Sequence, residues 1–244
     1  MLDLQVVELA NVIERRHSSR VPFDPKGRIP DADLQRILEA VRWAPTPHNM
    51  QNFEIIVIDD REIMQQIAAV HSVPSEAFLR ENYQQLSFSQ EELERKGTGL
   101  LASMFPPSWR TANAKPQECV DLEHSFLGHS LQNSPLLLIV IYDARQRAPA
   151  SEGDVLGIMS LGCVMQNMWL MATALNIDVQ ILSVFAGAEV ESALQRIVAI
   201  PADMRIAFAC RLGYPATLLA HYPRVRRETW EFTHYNRYGS RGST

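Results

Sequence analysis

The chain has 244 residues, 46% of them hydrophobic, and a formal net charge of −5. This allows one domain with a sizeable core, and an acidic balance without a basic tract argues against a nucleic-acid-binding surface. Its three cysteines, Cys119, Cys163 and Cys210, lie far apart and in odd number, so no metal centre or disulfide framework is expected and a reducing, cytoplasmic setting is.

Val6, Leu9, Ala10 and Ile13 recur at i, i+3, i+4 and i+7, which predicts an amphipathic helix over residues 3–15. The same stretch lacks a basic region followed by an apolar block, so no signal peptide is expected. Arg16-His17-Ser18-Ser19-Arg20 follows the helix directly. Two guanidiniums and two hydroxyls within five residues suit a phosphorylated ligand, because the arginine fork matches phosphate oxygens and serine hydroxyls fill the remaining positions. A short Arg/Ser turn is also ordinary surface chemistry, so the cluster alone does not decide.

Pro22, Pro25 and Gly27 make residues 21–27 a loop. Asp31 is the expected N-cap of a second helix carrying Leu34, Ile37, Leu38 and Val41, which Pro45 and Pro47 stop. Residues 53–58 read as a strand and 60–70 as a helix. Residues 71–117 break the pattern and are expected to form an insertion or lid, with one charged helix around Glu91–Lys96 and then an aromatic, proline-rich loop. Tyr83, Phe105 and Trp109 in that insertion are candidate substrate walls, with plain packing as the alternative.

A helix is expected over 120–133, then a strand buried on both faces over 135–142. Residues 155–175 run 21 positions without a charge, a length that could span a bilayer. Gln166 and Asn167 in the middle, the interrupting Gly157 and Gly162, and flanking acids favour instead a core helix buried all round. Two more strands, 177–184 and 205–212, bracket a helix near 188–198, and the tail carries arginines 224, 226, 227, 237 and 241. The seven histidines are scattered and none pairs with a Ser or Cys in a nucleophile motif, so no dedicated catalytic acid or base is expected. No G-x-G-x-x-G motif follows a strand, so a Rossmann site is not supported.

Four segments in this order carry a family resemblance: Arg16-His17-Ser18-Ser19-Arg20 with Phe23; Trp43 to Phe53 with Ala44-Pro45 and Asn49-Met50-Gln51; Gly162 to Met168 with Gln166-Asn167; and Leu212-Gly213-Tyr214-Pro215 with the tail arginines. Together they resemble the FMN-dependent nitroreductase family. The sequence departs from the usual pattern at Thr46-Pro47, Asn52-Phe53 and Glu228. The resemblance implies an α+β fold: a central mixed, mainly antiparallel sheet of four to five strands flanked by helices, in a single domain over 1–244. It also implies a C-terminal tail wrapping a partner subunit, and a homodimer with FMN at the interface.

On that resemblance Arg16, His17 and Ser18 contact the phosphate and ribityl chain, and Arg226, with Arg227 or Arg224 as substitute, supplies the tail cation. Arg20 stands near flavin N1 and O2, where reduction leaves negative charge. Thr46, Pro47, His48, Asn49 and Gln51 come from the partner subunit, and Ser183 with its neighbours Leu182 and Val184 passes over the ring near N5. Gln166 and Asn167 are expected as interface or core amides. The implied activity transfers electrons from NAD(P)H through FMN to a small electron-poor acceptor such as a nitroaromatic or quinone. A dehydrogenase, oxidase or reductive dehalogenase on the same fold is the alternative, and a non-catalytic flavin-binding protein is a third. Neither nucleic acid nor membrane is an expected partner, and no metal is expected.

Overall fold

The apolar run expected to be covered on both faces is an interior strand, and the rest of the larger unit is layered around it. The structure, a computed structural model, describes residues 4–105, 109, 126–131, 133–182, 185, 187–217 and 222–241. In chain order its elements are α1 (Leu4–Arg15), α2 (Asp31–Arg42), β1 (Glu54–Ile58), α3 (Arg61–Ala68), α4 (Glu76–Leu79), β2 (Ser87–Phe88), α5 (Gln90–Lys96), β3 (Leu100–Leu101), α6 (Phe126–Leu131), β4 (Leu136–Asp143), α7 (Val155–Ala174), β5 (Asp178–Ile181), α8 (Ala188–Ile197), β6 (Met204–Gly213) and α9 (Thr229–Phe232). They group into two compact units: Met1–Ser72 with Leu127–Leu219, and Val73–Phe126 with Ala220–Thr244.

The larger unit holds a four-stranded sheet in the order β1-β4-β6-β5, with each neighbouring pair antiparallel. Successive residues of a strand point to opposite faces. Leu137, Ile139 and Ile141 of β4 therefore join one apolar cluster, with Met64 and Ile67 of α3, Leu127 and Leu131 of α6, and Val190 and Leu194 of α8. Leu136, Leu138 and Val140 join the other, with Ile37 and Val41 of α2 and Val164, Met168 and Ala172 of α7. Cys210 of β6 is fully buried in this second layer, its Sγ 3.3 Å from Met168 Sδ, and burial pushes its thiol pKa far up. The register slips by one residue between Val140 and Ile141, a bulge in β6 near Ala207.

Two expectations, on the cap of α2 and the burial of α7, are corrected here, and α1 forms as expected but uncovered. Asp31 is not the N-cap of α2: Pro30 takes that position without a side-chain bond, and Asp31 opens the helix and pairs with Arg28 at 3.1 Å. Helix α1 buries none of its residues within the chain; Leu4, Val6, Leu9 and Ile13 of its apolar set are exposed. Helix α7 is not buried all round. Its middle and last turns pack on the sheet, but Val155, Leu156, Ile158 and Met159 of its first turns are exposed. A uniformly apolar helix reads as core from sequence, because composition does not say which surface covers it. By length and composition α7 is the one helix among the described residues apolar enough to cross a membrane, and the burial of Val164, Met168 and Ala172 against the sheet gives that composition a packing role.

The smaller unit contains α4, a π-helical turn over Arg80–Gln85, the short parallel pair β2–β3, α5 and the tail helix α9. Ser89 caps α5 by accepting from the Glu92 N–H. Gly97 ends α5 in the left-handed conformation at φ +62, where a Cβ would lie 3.2 Å from the Arg226 carbonyl oxygen. The expected insertion and the tail thus meet backbone to backbone. Of the helix expected over 120–133, residues 126–131 are described, as α6, and residues 120–125 lie outside the described residues.

Candidate functional site

Residues 16–19 leave α1 and run along the outer edge of β5. Ser18 forms a parallel bridge with Val179, and the Ser19 N–H donates to the Val179 carbonyl at 2.9 Å. This is the parallel component of an otherwise antiparallel sheet. From α7, Trp169 Nε1 donates to the His17 carbonyl at 3.0 Å, and its ring lies under the Arg16 guanidinium, 4.6 Å from centroid to carbon. Arg15 donates to the Thr173 carbonyl and to Asn176 Oδ1, both at 2.9 Å, so the last residue of α1 caps the end of α7. The motif is thereby held by α1, α7 and β5 together.

Its side chains divide by direction. Ser19 points inward and is 1% exposed, whereas Arg20 is exposed. His17 places Nδ1 3.1 Å from the Arg15 carbonyl and Nε2 3.6 Å from Asp178 Oδ2. Burial raises the Asp178 pKa, but the proximity of His17 and Ser19 outweighs it, and the carboxyl ionises below the ordinary carboxylate value. A cavity of about 260 Å³ lies beside this pair, lined by Arg15, His17, Thr173, Asn176, Asp178 and their neighbours. Arg16, Ser18 and Arg20 are not among its walls.

The segment is also gripped from the sheet. Arg211 of β6, 4% exposed, donates from Nη2 to the Val21 carbonyl at 2.8 Å and from Nε to Gln180 Oε1 at 2.7 Å. Its guanidinium stacks 4.2 Å from the centroid of Phe23. The Phe23 ring occupies the space that Gly213 leaves open, since a Cβ there would lie 2.7 Å from it. Burial lowers the Arg211 pKa to about 10, so the group stays cationic at neutral pH.

The second candidate segment carries an unusual backbone. His48, Asn49 and Gln51 have φ values of +49, +53 and +43, and all three side chains are exposed. Thr46 Oγ1 accepts from the Gln51 N–H at 3.1 Å, and Asn49 Oδ1 accepts from Gln51 Nε2 at 3.1 Å. Left-handed residues other than glycine cost energy and gather at functional sites. In the smaller unit the tail arginines Arg224, Arg226 and Arg227 are all exposed. Arg226 donates to the Val225 carbonyl at 2.6 Å, and Arg227 lies over Phe232.

The sequence model of the Nitroreductase family matches residues 13–214. The chain belongs to the nitroreductase family. Three crystal structures share the fold. One, from Bacteroides thetaiotaomicron, is assigned as an NADH dehydrogenase/NAD(P)H nitroreductase, at 15% identity over 94% of this chain and 98% of that one, with a TM-score of 0.60. Another, from Desulfovibrio desulfuricans, is assigned as a nitroreductase and was determined in complex with FMN, at 19% identity, 94% and 97% coverage and a TM-score of 0.59. A third is a nitroreductase with bound FMN from Bacteroides fragilis, at 19% identity, 88% and 92% coverage and a TM-score of 0.53. No curated protein sequence matches.

Within this nitroreductase fold the first motif follows the edge of β5 through Ser18 and Ser19. Leu182 is a correction. Its N–H donates to the Ala209 carbonyl at 2.9 Å and its side chain, 5% exposed, packs in the core, so it does not offer a donor to a ligand. Ser183 and Val184 lie outside the described residues. Asn167 is a core amide, its Nδ2 donating to the Ala40 carbonyl at 2.9 Å, whereas Gln166 is exposed. Tyr83, Phe105 and Trp109 do come together, with ring centroids of Phe105 and Trp109 4.5 and 5.3 Å from Tyr83. Tyr83 is 5% exposed and sits in the smaller unit's own apolar cluster, which is the packing alternative of the two expected for it. Trp169, Asp178 and Arg211 had no sequence signal tying them to the motif. Each acts from more than 150 residues away along the chain.

Proposed function

We propose that this nitroreductase-family chain is an FMN-dependent oxidoreductase that takes electrons from NAD(P)H and delivers them to a small electron-poor acceptor, a nitroaromatic or a quinone. The observation that carries the reading is the donor set of residues 16–20: two guanidiniums and the Ser18 hydroxyl on a segment anchored by α7 and β5. That set suits a phosphate with a polyol chain attached. The bound FMN of two fold relatives supports the choice of ligand. Arg16 and Ser18 bind the phosphate and ribityl chain in this reading, with Arg226 and its neighbours as further cations. Arg20 faces the N1 and O2 edge. Bound FMN supplies the two-electron chemistry, and the protein supplies binding, orientation and charge.

The same reading makes the protein a homodimer with flavin at the interface. Three features support that. Helix α1 leaves its apolar stripe uncovered, α7 exposes Val155, Leu156, Ile158 and Met159, and residues 48–51 hold a strained backbone with polar groups turned outward. A second reading, a dehydrogenase, oxidase or reductive dehalogenase with a dedicated substrate, draws support from the insertion, which folds with its own apolar cluster and π-helical turn.

The test is purification followed by incubation with FMN and gel filtration. Retained yellow colour that NADH or NADPH bleaches without air, and that a quinone or nitroaromatic restores, is the expected result. Protein that stays colourless overturns the reading. Bound flavin that neither nucleotide bleaches transfers support to the second.

A further inference from the structure

Resting on the flavin reading above, we propose that Arg211 is a positioning residue and a second fixed cation of the cofactor site, tying down the Arg20–Val21 turn and opposing the negative charge that two-electron reduction leaves on the flavin.

Arg211 is 4% exposed, and among the described residues no carboxylate pairs with it. Its partners are neutral: the Gln180 amide oxygen, the Val21 carbonyl and the Phe23 ring. They engage Nε, Nη2 and one face of the guanidinium and leave its charge uncancelled. A buried ion without a counter-ion is costly, and an apolar side chain of similar volume would avoid the cost. A cation kept under those terms is accounted for when an anion arrives with the ligand.

Placement gives the charge its object. The β5–β6 register sets Arg211 opposite Gln180, one residue before the end of β5. The Val21 carbonyl that Arg211 holds is a single residue from Arg20, the proposed cation of the N1–O2 edge. Phe23, seated over Gly213, closes the other side of the guanidinium. Arg211 therefore orders the backbone next to Arg20 and sets a second positive charge beside it. Weak dielectric screening in the interior makes such a preset charge effective.

Two variants of the full-length protein separate the charge from the tether. Arg211→Gln removes both. Gln180→Glu leaves Arg211 and its bond to Val21 in place but sets a carboxylate against the guanidinium, cancelling its field while improving its pairing. The readouts are FMN affinity by fluorescence quenching, flavin midpoint potential and thermal stability. Arg211→Gln is expected to bind oxidised FMN at least tenfold more weakly, and reduced FMN tenfold more weakly again. That extra tenfold corresponds to a midpoint about 30 mV more negative for a two-electron couple. Gln180→Glu is expected to melt no lower than wild type, bind oxidised FMN as wild type does, and still show the negative shift. If Gln180→Glu keeps the wild-type potential, Arg211 is only structural and the proposal is overturned, whatever Arg211→Gln does; should Arg211→Gln fail to fold, Gln180→Glu decides alone. A wild-type protein that does not bind FMN overturns the flavin reading itself, and this inference with it.

Discussion

The indole of Trp169 donates to the His17 carbonyl at 3.0 Å while its ring lies under the Arg16 guanidinium at 4.6 Å. One side chain of α7 thus sets both the path of the motif and the direction of its first charge. Trp169→Phe keeps a ring beneath Arg16 and loses the hydrogen bond. A neutral hydrogen bond contributes about 1 kcal/mol, so FMN affinity should fall about fivefold. Trp169→Ala removes the platform as well and should weaken binding by more than tenfold, on the order of the cation–π and packing terms combined. Fluorescence titration with FMN checks both.

Arg16 and Arg20 should matter for ligand and little for folding. Charge-assisted hydrogen bonds contribute about 1.5–3 kcal/mol, so Arg16→Ala should raise the Kd for FMN about tenfold to a hundredfold. Arg20→Ala should weaken reduced FMN more than oxidised FMN, seen as a more negative midpoint potential. Neither should shift the unfolding free energy by more than about 0.5–1 kcal/mol. A large loss of stability with unchanged affinity would assign the motif to structure alone.

Glu191 of α8 stabilises the fold. Only 6% exposed, it accepts from Nε and Nη2 of Arg205, both at 2.8 Å, and from the Ile206 N–H at 2.8 Å. The Arg205 bonds hold its pKa below the usual value, against the opposing push of burial. A carboxyl that ionises more readily folded than unfolded stabilises above its unfolded pKa, and the contribution fades as pH falls toward the folded value. Glu191→Gln should cost about 2 kcal/mol at neutral pH. The gap from wild type should narrow as pH falls below about 4, measured by denaturant unfolding across pH.

Gly97 should resist substitution. Its φ of +62 disfavours a side chain, and a Cβ would press on the Arg226 carbonyl and the Arg227 nitrogen, each at 3.2 Å. Gly97→Ala should destabilise the smaller unit by about 1–2 kcal/mol. Limited proteolysis should then cut the tail faster than in wild type.

The exposed first turns of α7 supply a test of the proposed homodimer. Ile158→Glu with Met159→Lys places charge on side chains 58% and 60% exposed in the single chain, so protomer stability should change by less than about 1 kcal/mol. The protein should nevertheless shift from dimer to monomer in light scattering.

Periodicity located α1, α2, α3, α7, α8 and the four strands of the larger sheet because each repeats an apolar pattern matched to a face or to full burial, while α5 was visible as a run of charges. It misjudged the start of α7, because an apolar run looks the same whether or not this chain covers it. The motif at residues 16–20 was visible because its residue types are chemically unusual together. The clamp behind it was not. Trp169 read as one more apolar residue in a long helix, Asp178 as a flanking acid and Arg211 as a strand cation, since contacts across such sequence separations leave no spacing to read. For Tyr83 the two alternatives could not be separated, because an aromatic residue in an insertion reads equally as a binding wall or as part of a core of the insertion's own.

Cys210, sealed in the middle of the sheet against Met168, turns the protein into its own unfolding gauge. A thiolate is the form that reacts, and burial keeps this sulfur protonated as well as out of reach. Its alkylation rate under native conditions should therefore report the opening of β6 from its neighbours, the event nearest to complete unfolding. Cys163, half-exposed on α7, should be modified without waiting for that opening. The interval between the two labelling times would measure how tightly the sheet stays shut, and its lengthening on adding FMN would register ligand binding without any flavin signal.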